Sequence, residues 1–234
     1  VTRILNLFSK KIKEISMKIF LDTANRDQIK KWVATGLVDG VTTNPTLLSK
    51  EDSNTKKVLL DICSIVQGPV SIEVVEKDVS AVKKQAKAIF KLAKNVVVKI
   101  PCMPEYLEVI HDLVQDGVKI NVTLVFTEIQ ALLVAKLGAT FISPFAGRWD
   151  DIGQDGVKLV EGIVKIKQNY NFKSEVLAAS IRSVYQWKRL ACAGADIITV
   201  PTNVLEKAIQ HPLSVQGFEQ FDKDWKKLGK VKFV

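Results

Sequence analysis

Eight short runs of β-branched and apolar residues recur along the chain, and a helical pattern follows each of the first seven. The runs are Lys18–Asp22, Asp39–Asn44, Val70–Val75, Val96–Ile100, Lys119–Val125, Thr140–Pro144, Glu175–Ala179 and Asp196–Val200. Between them lie the helical patterns Arg26–Thr35, Thr55–Val66, Ser80–Ala93, Pro104–Gln115, Thr127–Leu137, Gln154–Gln168 and Ile181–Ala193. Gly117, Gly138 and Gly194 stand between a helical pattern and the next strand, where glycine ends helices. Eight such units in 234 residues predict a single α/β domain, a closed (β/α)8 TIM barrel. An open doubly wound sheet is the alternative, but no Gly-x-Gly-x-x-Gly turn supports a dinucleotide site. Beyond the eighth run, Val204–Ile209 and Leu213–Leu228 read as extra C-terminal helices.

Side chains alternate faces along a strand. Ile19 and Leu21 share one parity and Asp22 takes the other; Ile72 and Val74 oppose Glu73; Val96, Val98 and Ile100 oppose Lys99; Ile120, Val122 and Leu124 oppose Asn121 and Thr123. Apolar residues are then expected to face the helices and polar ones the interior. In a barrel the interior at the strand C-termini is the mouth of the active site. Asp22, Thr42, Asn44, Glu73, Lys99, Asn121, Thr123 and Ser143 are expected to converge there.

Lys99 is the sharpest of these. It sits in Val96-Val97-Val98-Lys99-Ile100-Pro101, a run that reads as a strand buried on both faces. Lysine is rarely buried without a partner. Taking water from an ammonium favours the neutral amine, which is the nucleophile of Schiff-base chemistry. The bland reading is a lysine that reaches from the strand mouth into solvent.

Composition removes other classes. No apolar run is long enough to span a bilayer. Cys63, Cys102 and Cys192 are scattered, fit no metal or disulfide pattern and suit a reducing, cytoplasmic setting. His111 and His211 have no third ligand nearby, so no zinc site is expected. The net charge of +9 is spread among acidic residues, as around Lys83, Lys84, Lys87, Lys91 and Lys94, without interleaved aromatics. That pattern favours steering of anionic substrates over nucleic-acid binding. Residues 1–16 form an N-terminal extension whose basic residues Arg3, Lys10, Lys11 and Lys13 face only Glu14, and Met17 directly precedes the first strand. The expected barrel unit is 17–234; residues 1–16 read as an upstream start, a tag remnant or a short amphipathic helix, and Met17 is the expected natural start.

With these residues in place, the chain resembles the transaldolases, in particular the short-chain branch that also holds the fructose 6-phosphate aldolases. The resemblance runs from Lys18 to Lys226. It rests on Phe20-Leu21-Asp22-Thr23, Gly40-Val41-Thr42-Thr43-Asn44-Pro45-Thr46, Val97-Val98-Lys99-Ile100-Pro101, Ile120-Asn121-Val122-Thr123-Leu124-Val125-Phe126, Ile142-Ser143-Pro144-Phe145-Ala146-Gly147-Arg148 and Leu177-Ala178-Ala179-Ser180-Ile181-Arg182.

The resemblance implies transfer of a dihydroxyacetone unit from sedoheptulose 7-phosphate or fructose 6-phosphate to glyceraldehyde 3-phosphate or erythrose 4-phosphate, in the pentose phosphate pathway. Lys99 would form the Schiff base. Glu73 would shuttle protons through a water held with Thr123, and Asp22 would take the C4 hydroxyl proton. Asn44, Asn121 and Ser143 would hold the three-carbon fragment, and Thr42 would support Asp22 or a first amide. Arg148, Ser180 and Arg182 would bind the phosphate. No metal or organic cofactor is expected, because the lysine iminium is itself the electron sink. Glu73 and Phe145 match transaldolases; the aldolase branch is expected to carry glutamine and tyrosine there. Trp149 departs from the usual small aliphatic residue and is expected to narrow the phosphate entrance. The alternatives are a fructose 6-phosphate aldolase and a non-catalytic sugar-phosphate-binding barrel. Val215, Phe218, Phe221 and Trp225 form an apolar stripe on the last helix. In the short-chain branch such a helix crosses to a neighbouring subunit, which implies a homo-oligomer, a pentamer or decamer.

Overall fold

The computed structural model describes residues 17–51 and 54–229, so the expectations for residues 1–16 lie outside the described residues. The strands are β1 (Lys18–Asp22), β2 (Gly40–Thr42), β3 (Val70–Glu73), β4 (Val96–Pro101), β5 (Ile120–Val125), β6 (Phe141–Pro144), β7 (Glu175–Ala178) and β8 (Ile197–Val200). Neighbours pair in parallel in chain order, and β1 pairs with β8, which closes the barrel. Seven helices alternate with the strands as expected: Arg26–Val33, Thr55–Ile65, Val79–Phe90, Leu107–Gln115, Glu128–Lys136, Gly156–Tyr170 and Val184–Cys192. Two short helices that the periodicity does not announce, Pro45–Leu48 and Ala146–Asp150, follow β2 and β6. Thr202–Ile209 and Pro212–Lys227 are the C-terminal pair.

Capping explains where helices begin later than their apolar periodicity suggests. The Ser183 side chain accepts the Gln186 N–H, so that helix opens at Val184 and not at Ile181. Asp155 accepts from the N–H groups of Val157 and Lys158 and sets the start at Gly156. A side-chain acceptor at this position satisfies donors that have no partner within the helix, typically contributing about 1 kcal/mol. At the other ends, Gly117, Gly138 and Gly194 take φ of 77°, 89° and 84°, as expected of helix-terminating glycines.

The core has two parts. Outward-facing strand residues such as Leu21, Val41, Ile72, Val98 and Ile120 pack under the helices. A separate cluster fills the barrel axis: Phe20, Val97, Phe141, Leu177, Ala179 and Ile197. Phe20 meets Phe141 edge to face, ring centroids 5.9 Å apart. This corrects the expectation that apolar residues face only the helices. Phe20 and Val97 share parity with Asp22 and Lys99, so the interior carries apolar groups directly beneath these two polar residues. An apolar floor excludes water there, and each fully buried side chain contributes roughly 1.5–3 kcal/mol. No described helix is long and apolar enough to cross a membrane. The three cysteines are unpaired.

Candidate active site

Strand register builds the site. Asp22 pairs with Thr42 and Glu73 with Lys99 near the C-terminal ends of their strands, and Lys99 pairs with Asn121, the second residue of β5. A cavity of about 380 Å³ opens above them. Of the residues expected from sequence, Asp22, Thr42, Asn44, Glu73, Lys99, Ser143, Phe145, Arg148, Ser180 and Arg182 line it. Asn121 and Thr123 are fully enclosed and lie outside its lining.

Lys99 is only 5% exposed, which rules out the solvent-reaching alternative. Its Nζ lies 2.9 Å from Glu73 Oε2 and donates to the Thr43 carbonyl at 3.4 Å. A buried ammonium of this kind requires a counter-charge, and Glu73 supplies it. The Phe145 ring centroid is 5.9 Å from Nζ. Asp22 is the second carboxylate, half-buried in the cavity wall. Burial, the largest influence, pushes its carboxyl above the ordinary value; the Lys99 charge and a hydrogen bond from Thr42 pull it down without cancelling the rise, and the Glu73 charge adds to it.

The amides are held in fixed orientations. Asn121 Nδ2 donates to Ser71 Oγ at 3.1 Å, and Asn121 Oδ1 accepts from Ser143 Oγ at 2.7 Å. Asn44 Oδ1 accepts the Leu47 N–H at 2.9 Å, which leaves the Asn44 amide N–H groups for the cavity. Thr123 Oγ1 is buried and no protein group hydrogen-bonds it.

The cavity rim is basic. Arg148 stacks over Phe145 at 4.9 Å, and Arg182 pairs with Asp151 at 2.8 Å across a solvent-exposed edge. Ser180 adopts φ of 64°, a strained conformation of the kind that concentrates at functional sites. A Cβ on Gly147 would stand 1.8 Å from the Ser180 carbonyl oxygen, so only glycine lets the Arg148 helix approach that turn. Trp149 does not line the cavity. It packs against Phe126 at 5.8 Å between ring centroids, so the expected narrowing of the entrance does not occur.

Several lining residues lie outside the set expected from sequence, Thr199 and Leu124 among them. Thr199 is a lone hydroxyl in the apolar run Ile197-Ile198-Thr199-Val200, a signal of the same kind as Lys99 in β4. Leu124 was expected to face the helices with Val122. The register shifts between Val122 and Val125, Leu124 takes φ of 57°, and the side chain turns into the cavity. Simple alternation cannot reveal such a bulge.

Residues 19–232 match the family model described as Transaldolase/Fructose-6-phosphate aldolase. A protein of Kosmotoga olearia named "Probable transaldolase" is 51% identical over 214 residues, 92% of this chain and 98% of the relative. Relatives with the same name in Methanococcus maripaludis and Clostridium tetani are 50% and 47% identical, covering 89% and 92% of this chain and 97% and 100% of theirs. Among solved structures, a mandelate oxidase variant superimposes with a TM-score of 0.57 at 13% identity. That match covers 80% of this chain and 64% of the oxidase, and it speaks to the fold alone.

Proposed function

The chain belongs to the transaldolase/fructose-6-phosphate aldolase family, and we propose that within it the protein is a transaldolase that moves a dihydroxyacetone unit between sugar phosphates through a Schiff base on Lys99. The observation that carries this reading is the buried amine of Lys99, paired with Glu73 and faced by Asp22, under a rim of two arginines.

The chemistry follows from those positions. Lys99 Nζ transfers a proton to Glu73 and attacks the ketose carbonyl. Glu73 returns a proton to the carbinolamine hydroxyl, which leaves as water and yields the iminium. The enclosed, unpartnered Thr123 hydroxyl suits a water on that path. Asp22, with its raised proton affinity, takes the C4 hydroxyl proton while the C3–C4 bond breaks and its electrons flow to the iminium. Asn44 and Ser143 hold the enamine fragment, with Asn121 fixing Ser143 from below. Arg148, Ser180 and Arg182 receive the phosphate, Arg182 exchanging Asp151 for it. The setting proposed is the cytoplasm and the pentose phosphate pathway.

Phe145 favours transfer over simple cleavage. Its ring, not a hydroxyl, stands beside Nζ, so the enamine lacks an acid there and waits for an aldehyde. The test is release of glyceraldehyde 3-phosphate from fructose 6-phosphate with and without erythrose 4-phosphate. Release beyond one equivalent per site only with the acceptor is the expected result, and Phe145→Tyr is expected to raise acceptor-independent turnover. Sustained acceptor-independent turnover by the unaltered protein would establish the aldolase reading. No release in either case would point to a silent barrel or another substrate.

Assembly is the second part of the proposal. On the helix Pro212–Lys227, Phe218 and Phe221 are both 75% exposed, and Leu213 and Val215 are open as well. An apolar stripe of this kind on a surface helix fits a contact between copies. A homo-oligomer, a pentamer or decamer as in the short-chain branch, is expected in multi-angle light scattering. Phe218→Glu with Phe221→Glu should lower the mass toward that of a monomer. A monomeric mass for the unaltered chain would refute this.

A further inference from the structure

The Asp22 carboxylate is held by a chain of hydroxyls that ends on β8. Asp22 Oδ1 accepts from Thr42 Oγ1 at 2.8 Å. Thr42 Oγ1 also lies 2.6 Å from Thr199 Oγ1. A hydroxyl has one proton to donate. With that proton aimed at Asp22, the second contact is a hydrogen bond only if Thr199 donates to Thr42. The direction is therefore set: Thr199 to Thr42 to Asp22. β2 and β8 flank β1 on opposite sides, so the two hydroxyls meet across the barrel interior. Thr42 and Thr199 are 1% and 2% exposed, which keeps competing water away. Successive hydrogen bonds polarise one another in such surroundings.

We propose that Thr199 is a positioning residue for Asp22: it fills the acceptor site of the Thr42 hydroxyl, keeps that proton on the carboxylate, and so holds Asp22 ready to accept a proton from the substrate. The inference deepens the transaldolase reading and rests on Asp22 being the proton acceptor. The charged groups acting on Asp22 are Lys99 from β4, which favours its ionised form, and Glu73 from β3, which opposes it. Arg148 and Arg182 share the cavity. The adjoining strands β2 and β8 contain no charged residue, so the two threonines are what those strands present. Hydrogen bonds to a charged acceptor are about twice as strong as neutral ones. Loss of the Thr199 hydroxyl thus falls mainly on the ionised form of Asp22.

The test compares Thr199→Val, which keeps the shape, with Thr199→Ser, which keeps the hydroxyl. Thr199→Val is expected to lower kcat roughly three- to tenfold, to leave KM little changed, and to move the acid limb of the pH–rate profile to higher pH. Thr199→Ser should restore both. In substrate-free protein, the 13C signal of the Asp22 carboxyl, assigned with Asp22→Asn, should titrate at higher pH in Thr199→Val and return in Thr199→Ser. Should Thr199→Val fail to fold, Thr199→Cys, whose thiol is a weak donor, serves the same comparison. Equal effects of valine and serine, or a carboxyl midpoint that moves in neither, would overturn the inference. If the unaltered protein turns over no sugar phosphate while the midpoint still moves, the coupling stands and the transaldolase reading falls.

Discussion

Lys99→Arg is expected to abolish turnover, by roughly 10⁴-fold or more as for other nucleophile replacements, while leaving the barrel folded. Arginine is the informative choice because it keeps the positive charge. Lys99→Ala would leave Glu73, whose side chain is 13% exposed, without its partner at 2.9 Å. A buried charge stripped of its partner is strongly destabilising, so lost activity in that variant would be open to a structural explanation. The guanidinium can still pair with Glu73 but does not deprotonate in proteins and cannot form an imine. Borohydride reduction in the presence of fructose 6-phosphate gives the second measurement. The unaltered protein should gain one covalently reduced sugar adduct, mapped to Lys99, and Lys99→Arg should gain none. An adduct on another lysine, or substantial turnover by the arginine variant, would remove Lys99 from the mechanism.

Asp22→Asn is expected to separate function from stability. Removing the proton acceptor should lower kcat by roughly 10²–10⁴-fold, the usual contribution of a positioned base. The same change should raise Tm. The Asp22 carboxyl is pushed above its ordinary value of 3.8, chiefly by burial. Its folded form therefore holds a proton more tightly than the unfolded chain does. That contribution favours the fold fully below the ordinary value and is lost as pH rises through the raised value. Above that ordinary value the substrate-free barrel is weakened, because the unfolded chain gives up this proton more readily than the fold does. Asparagine carries no charge to desolvate, and its Oδ1 can keep the hydrogen bond from Thr42. Lys99 retains Glu73. In a barrel of this size about 1 kcal/mol moves Tm by roughly 2–4 °C, which a melting curve resolves. The gain should shrink on acidification, as the native Asp22 becomes neutral as well. A Tm that falls at neutral pH, or a gain that grows in acid, would contradict this account of Asp22.

Much of the site was legible because its chemistry is written as anomalies in apolar runs. Lys99 within Val96–Pro101 and Glu73 at the end of Val70–Glu73 break an otherwise buried pattern, and strand parity places them together. Thr199 carries the same signal more faintly, since a threonine disturbs an apolar strand far less than a lysine does. Leu124 carried no signal, because its position depends on a register shift against β6. Trp149 misled for a related reason. Its place in the chain beside Arg148 suggested the entrance, and the aromatic neighbour that claims it, Phe126, lies on another element.

The sequence by itself determined the barrel and most of the polar residues at its mouth. These depend on local periodicity and on turn and cap chemistry, which short-range sterics and hydrogen bonding enforce. Which hydroxyl donates to which, how deep each side chain lies and which apolar groups fill the axis were decided only by the tertiary structure. Those features depend on contacts between strands far apart in the chain, among them β1, β2 and β8, whose residues are brought together only when the sheet closes. The distance from Thr42 to Thr199 is 157 residues along the chain and 2.6 Å in space; closure of the barrel is the physical reason that the second figure, and not the first, governs Asp22.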